Sequence, residues 1–185
     1  MLNLIYAALK KRLAEKVEPK LIDWFLGQYM EDDMEDGGAL LWNTPTIFLE
    51  FLPVDWETRP GNLQTATLRL NAHLVNDTLY DNDQRILDAT INHLGMESAV
   101  FVALMNWRCL LSYVPGFEAL AGEPEDRVLI ESMVRNTSEP DHAMRKQLVS
   151  VQGFSSRVFD YSATPQWQTV LATLQLDIQK VNVLP

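Results

Sequence analysis

Cysteine is almost absent from this sequence: Cys109 stands alone among 185 residues. An intramolecular disulfide is therefore excluded, and the chain suits a reducing compartment. Histidine is nearly as scarce. His73, His93 and His142 fall on a predicted strand, a predicted helix and a loop, without the close spacing that metal ligation uses. Positive charge is also short: 15 Lys and Arg face 25 Asp and Glu, for a formal net charge of −10. Such a chain repels a phosphate backbone at long range, so no specific nucleic-acid binding is expected. No apolar run is long enough for a bilayer. Met1 to Ala8 is too short and meets Lys10, Lys11 and Arg12, while the apolar segment from Glu97 to Tyr113 is interrupted by Asn106 and Arg108. Neither a membrane association nor a secretory signal is expected, and the expected location is the cytoplasm. A phosphate-cradling glycine loop, a dinucleotide fingerprint and a nucleophile elbow are all missing. Asp141 beside His142 is adjacency without the geometry of a triad. The expectation is a protein that is not an enzyme and needs neither cofactor nor metal.

What is present is ordinary globular composition, 47% hydrophobic and 22% charged, in a length that suits one domain over residues 1–185. Thr44 to Asp77 carries the clearest pattern. Thr46 to Phe51 is dense in β-formers, with Pro45 ahead of it where no ladder hydrogen bond is lost. Further on, Ala66, Leu68, Leu70, Ala72 and Leu74 alternate with Thr65, Thr67, Arg69, Asn71 and His73, which predicts a strand with one buried and one wet face. Pro53, Pro60, Gly61 and Asn62 between them are turn formers, so an antiparallel pair with a broad connection follows.

The same stretch carries a resemblance. Pro45-Thr-Ile-Phe-Leu-Glu-Phe51, then Val54-Asp-Trp56, then Gly61 and Gln64 ahead of an alternating strand ending His73-Leu-Val-Asn-Asp77, is similar to tail-terminator (tail-completion) proteins of tailed phages and prophages. Leu79, Tyr80, the helix Ile86 to Leu94 and the late strand Phe154 to Tyr161 continue it, so that about half the chain is covered. The resemblance implies a small α+β subunit that forms a homo-oligomeric ring, caps the growing tail tube and offers a surface to the head-tail connector proteins. It also implies association with the virion.

Elsewhere the periodicity is plainer. Leu4, Ile5, Ala8, Leu9, Leu13 and Val17 predict an amphipathic helix over about 3–16, closed by Pro19. Leu21 to Met30 fits a helix begun at Pro19 or, by its aromatic content, a strand, and the resemblance favours the strand. The run Glu31, Asp32, Asp33, Glu35, Asp36 lacks the ligand spacing of a calcium loop and reads as a solvated loop. Asp81 or Asn82 is suited to cap a helix whose buried stripe is Ile86, Leu87, Ala89, Thr90, Ile91 and Leu94, with Gly95 as its stop. A second, apolar helix is expected from Glu97, then a short turn with Phe117 and Leu120, and a strand through Val128, Ile130, Ser132 and Val134. Asn136 to Met144 reads as polar turn. Leu148 to Tyr161 reads as a long strand bulged at Gly153 and closed by Pro165, while Val170 to Val181 fits strand or helix, with a last strand from Leu174 favoured.

The fold class expected is α+β, a mainly antiparallel sheet of about four to six strands with helices packed on one face. Catalytic, cofactor and metal residues are set at none. The candidate subunit interface is Trp56, Val100, Phe101, Leu104, Trp107 and Leu111, large apolar or aromatic residues of the kind that dominate contact energies. Trp167 is similar in kind, although packing within the domain is the simpler use of both Trp56 and Trp167, and burial the simpler use of Cys109. The alternative is a small-ligand binding domain or enzyme built on the polar cluster from Asp77 to Asp83, where capping and turn roles compete with ligand binding.

Overall fold

The computed structural model describes residues 1–27, 44–77, 83–123, 126–141 and 147–164. The acidic run at Glu31 to Asp36, the cap at Asp81 or Asn82, Leu79, Tyr80, His142, Pro165, Trp167 and the strand expected from Leu174 lie outside the described residues.

Helix α1 spans Leu2–Val17 and buries Ile5, Ala8, Leu9 and Leu13 along one stripe. Glu18 turns left-handed (φ 54) just before Pro19, so the helix stops where its backbone can no longer continue. Its basic side is partly used. Lys11 Nζ donates to the Tyr113 carbonyl at 3.1 Å and Arg12 Nε to the Ala103 carbonyl at 2.9 Å. Arg12 thus satisfies a carbonyl left open in the last turn of the second helix, where a cation also complements the dipole.

The strands follow in order: β1 (Leu21–Trp24), β2 (Thr46–Phe51), β3 (Trp56–Arg59) and β4 (Leu63–Asp77), then α2 (Asp83–Leu104), β5 (Cys109–Leu110), β6 (Val128–Ile130), β7 (Val134–Asp141) and β8 (Gln147–Asp160). They form one eight-stranded sheet in the order β1-β2-β4-β8-β6-β5, with β3 also on β4 and β7 also on β8. The α+β class holds, with two corrections. Among the described residues the sheet has eight strands rather than four to six, because β3 and β5 are too short to show a period and β7 is polar along its length. It is also mixed rather than mainly antiparallel: β1 runs parallel to β2, with Ile22 beside Ile47. A parallel neighbour needs a long crossover, and the chain between Trp24 and Thr46 supplies the length.

As expected, β2 and β4 pair antiparallel, with Thr46 opposite Val75 and Phe51 opposite Leu70. The connection between them is more ordered than a broad loop. It contains β3, which folds back on β4 through a 3-10 turn at Pro60–Asn62, where Gly61 and Asn62 take positive φ. Ala66, Leu68, Leu70, Ala72 and Leu74 are all buried and share one core with α1, with Val100, Ala103 and Leu104 of α2, and with Phe154 and Val158 of β8.

Two helices were expected where the structure has one. α2 runs through Gly95 without a break, and the left-handed residue beyond its end is Asn106 (φ 58). Its buried stripe is also rotated. His93, Met96, Val100 and Ala103 face inward, while Ile91 and Leu94 remain 57% and 55% exposed. Apolar residues occur on both sides of this helix, so periodicity alone does not select the packed face.

Asn136 to Asp141, expected as turn, belongs to β7, an exposed polar edge strand on β8. Gly153 does accompany a bulge, but the extra residue is Asn136 on β7; the β4–β8 register stays unbroken through Gly153. Gly153 has a separate reason to lack a side chain, since a Cβ there would collide with Thr137 Oγ1. Gly153→Ala is expected to destabilise the fold by about 1–3 kcal/mol in urea unfolding, the usual range for overpacking. Thr137→Ala in the same chain should recover most of the loss, and a strictly additive double mutant would show that the two positions do not touch.

Candidate functional site

The outward face of the sheet, opposite the helices, has two ends of different character. At one end Phe48, Val75 and Val149 form a second small core, packed by Leu21 and Phe25. The Phe25 ring lies on the His73 imidazole, centroids 4.0 Å apart and planes 10° from parallel. His73 is therefore only 5% exposed. The expectation of a wet face fails here because Leu21 and the chain leaving β1 at Phe25 cover this end of β2 and β4. Glu50 Oε2 accepts from Asn71 Nδ2 at 2.7 Å and meets His73 Nε2 at 3.1 Å. Burial pushes the Glu50 carboxyl up, but the Asn71 hydrogen bond and the bond and charge of His73 outweigh it, and the carboxyl sits below its ordinary value.

The other end is open. Pro53, Asp55, Glu57 and Arg59 form one wall of a groove of about 380 Å³, and Thr65, Thr67 and Arg69 of β4 with Arg157 of β8 form its floor. Arg59 is committed: it pairs with Glu57 at 2.8 Å and lies 3.4 Å from Thr65 Oγ1. Arg69 and Arg157 are exposed, and among the described residues neither guanidinium has an ion-pair or hydrogen-bond partner. Arg157 is paired with Thr67 and Arg69 with Ser155, so the two arginines are diagonal neighbours on one face.

A third polar cluster lies beneath α2. His93 Nε2 is 3.0 Å from Ser150 Oγ and 3.5 Å from Glu97 Oε1, and Gln152 Nε2 donates to the Glu97 carbonyl at 2.9 Å. Serine, histidine and glutamate suggest a relay, but the geometry does not form one. Both partners meet Nε2, Nδ1 has no partner, and Ser150 is buried. Nothing in the sequence marked this cluster, since its members come from a helix and a distant strand with no shared motif.

Of the six candidate interface residues, Val100, Leu104 and Leu111 are fully buried in the main core, and Trp107 is 9% exposed. Trp56 is half-buried against that core, and Phe101 is half-buried with the Arg135 guanidinium 4.0 Å from its ring centroid. Only Trp56 and Phe101 keep substantial side-chain surface. Cys109 is buried as a small hydrophobe, and its thiol is pushed up to about 12 by burial, with Asp126 adding to the shift. Among the described residues no group of His, Cys, Asp and Glu is placed to hold a metal ion, and no helix is long and apolar enough to cross a membrane. Asp77 to Asp83, the alternative site, lies outside the described side chains.

His93 and Glu50 contribute to the acid limb of stability. Burial pushes His93 below its ordinary value while Glu97 opposes the shift. The unfolded chain therefore takes up a proton first, and stability should fall as pH drops below about 6.5. Glu50, also lowered, adds a second loss once pH falls below about 4.3. Urea midpoints measured from pH 7.5 downward test this. His93→Gln should flatten the upper limb and leave the lower one, and an unchanged upper limb in that variant would exclude His93 as its source.

No family profile matches the chain, and no curated protein matches it in sequence. Among solved structures it is similar to a chain of the virion of a native gene transfer agent particle, at 12% identity and a TM-score of 0.47, over 86% of this chain and 97% of that one. A likeness of that size carries no argument about role.

Proposed function

We propose that this chain is a structural assembly subunit of the phage tail-terminator kind, which forms a homo-oligomeric ring, caps a tail tube and presents a surface to head-side connector proteins. The observation that supports it is the placement of the resembling stretch. Pro45 to Phe51 and Gln64 to Asp77 lead into and form β2 and β4, paired side by side in the sheet, and Phe154 to Asp160 lies in β8 against β4. The strands that carry the resemblance are therefore neighbours in space as well as ordered in sequence. The reading assigns the chain no catalytic step, no cofactor and no membrane or specific nucleic-acid partner.

Within this reading Trp56 and Phe101 are the members of the candidate interface with side-chain surface to offer. Val100, Leu104, Trp107 and Leu111 support it from inside, by holding α2 and the segment after it on the sheet. The ligand-binding alternative gains nothing from His73, which is covered by Phe25 and engaged by Glu50.

Solution mass across a wide concentration range, with negative-stain imaging of the largest species, tests the reading. The expected result is a closed ring with a central hole whose population grows with concentration. A protein that stays monomeric throughout, both alone and with purified tail tubes, would sink it.

A further inference from the structure

We propose that the groove floored by Arg69 and Arg157 receives carboxylates from a second copy of this chain, in a head-to-tail contact. The proposal rests on the assembly reading and names the contact through which it works. Two guanidiniums with no partner among the described residues sit as diagonal neighbours on one sheet face, where their like charges repel. The described carboxylates of the same chain reach neither of them. An incoming carboxylate relieves that repulsion and accepts forked hydrogen bonds from the planar guanidinium, with the Thr67 hydroxyl on the same floor as a further donor.

The same lining selects the occupant. Asp55 and Glu57 stand on the wall, so a nucleic-acid backbone laid along the groove would meet negative charge at one side and the net −10 of the chain at long range. A polypeptide segment avoids both, because it can set one or two carboxylates on the floor and turn other groups to the wall. Acidic residues outnumber basic ones by 25 to 15 in this chain, so a second copy brings the required sign. Two grooves cannot face each other, since that would oppose four arginines. The groove of one copy therefore meets a different surface of the next, and in the ring of the assembly reading that contact is heterologous, repeating from copy to copy until it closes.

Sedimentation equilibrium of the full chain at low and high NaCl provides the test, with two variants of equal net charge. Arg69→Glu/Arg157→Glu reverses the groove, and Lys20→Glu/Arg108→Glu reverses two exposed cations elsewhere. Circular dichroism and melting curves establish that both fold. The expected result is wild-type association that weakens about tenfold or more in high salt, is lost in the groove variant and persists in the control. Assembly of the groove variant like the wild type would overturn the groove contact and leave the assembly reading standing. Equal loss in both variants would overturn the contact as well, by showing that net charge alone is responsible. A wild type that stays monomeric yet binds inorganic phosphate or a DNA oligonucleotide through Arg69 and Arg157 would overturn both readings.

Discussion

The structure depends on one ladder, the antiparallel pairing of β4 with β8, which runs unbroken from Gln64 opposite Asp160 to Asp77 opposite Gln147. β2 and β3 attach to the far edge of β4, and β6 and β7 to the far edge of β8. The core side of this ladder is not uniformly apolar. Leu68, Leu70 and Leu74 face inward on β4, while Ser150, Gln152 and Ser156 face inward on β8 and are buried. A buried hydroxyl or amide is costly without a hydrogen bond. Ser156 donates to the Glu131 carbonyl, Ser150 is met by His93, and Gln152 donates to the Glu97 carbonyl. These needs fix where α2 lies along the sheet.

The outward face follows from the same ladder. Its residues alternate with the core residues, so the sheet must present Thr67, Arg69, Asn71, His73 and Val75 away from the helices. What happens to them depends on cover. β1 extends the sheet only beside β2, and with Phe25 it closes over the His73 end; the Arg69 end, flanked by β3, stays open. One strand thus carries a covered histidine and an open groove floored by arginines a few residues apart. Alternation supplies the side of the sheet, and the neighbouring strands decide whether that side is dry.

That distinction also explains what was legible in the sequence. Strands β2, β4 and β8 and helix α1 are long enough for their periods to stand out, and each was readable from its apolar spacing. Short strands such as β5, Cys109–Leu110, carry no period at all. β7 is polar because it is an exposed edge, so its composition resembles a turn while its backbone is held by β8. Gly95 reads as a stop, yet a glycine within a helix costs only about 1 kcal/mol against alanine, and packing on both sides carries α2 through it. The candidate site was less legible. Arg69 was readable as outward, but its proximity to Arg157 required the β4–β8 register, which pairs residues almost ninety positions apart in sequence.

The interface residues proposed from sequence show why an apolar segment is a poor guide to a subunit contact. Glu97 to Tyr113 carries apolar residues on every side, so it must use some of them inside the fold before any remain for a neighbour. Val100, Ala103 and Leu104 are used in this way, while Val102 is left 71% exposed. With Ile91 and Leu94 it gives the solvent side of α2 an apolar character, on the layer opposite the arginine groove. A copy built like this has two unlike surfaces on its two faces, one cationic and recessed, the other helical and partly apolar. The ladder that buries the core thus places the groove on one side of each copy, and α2 occupies the other.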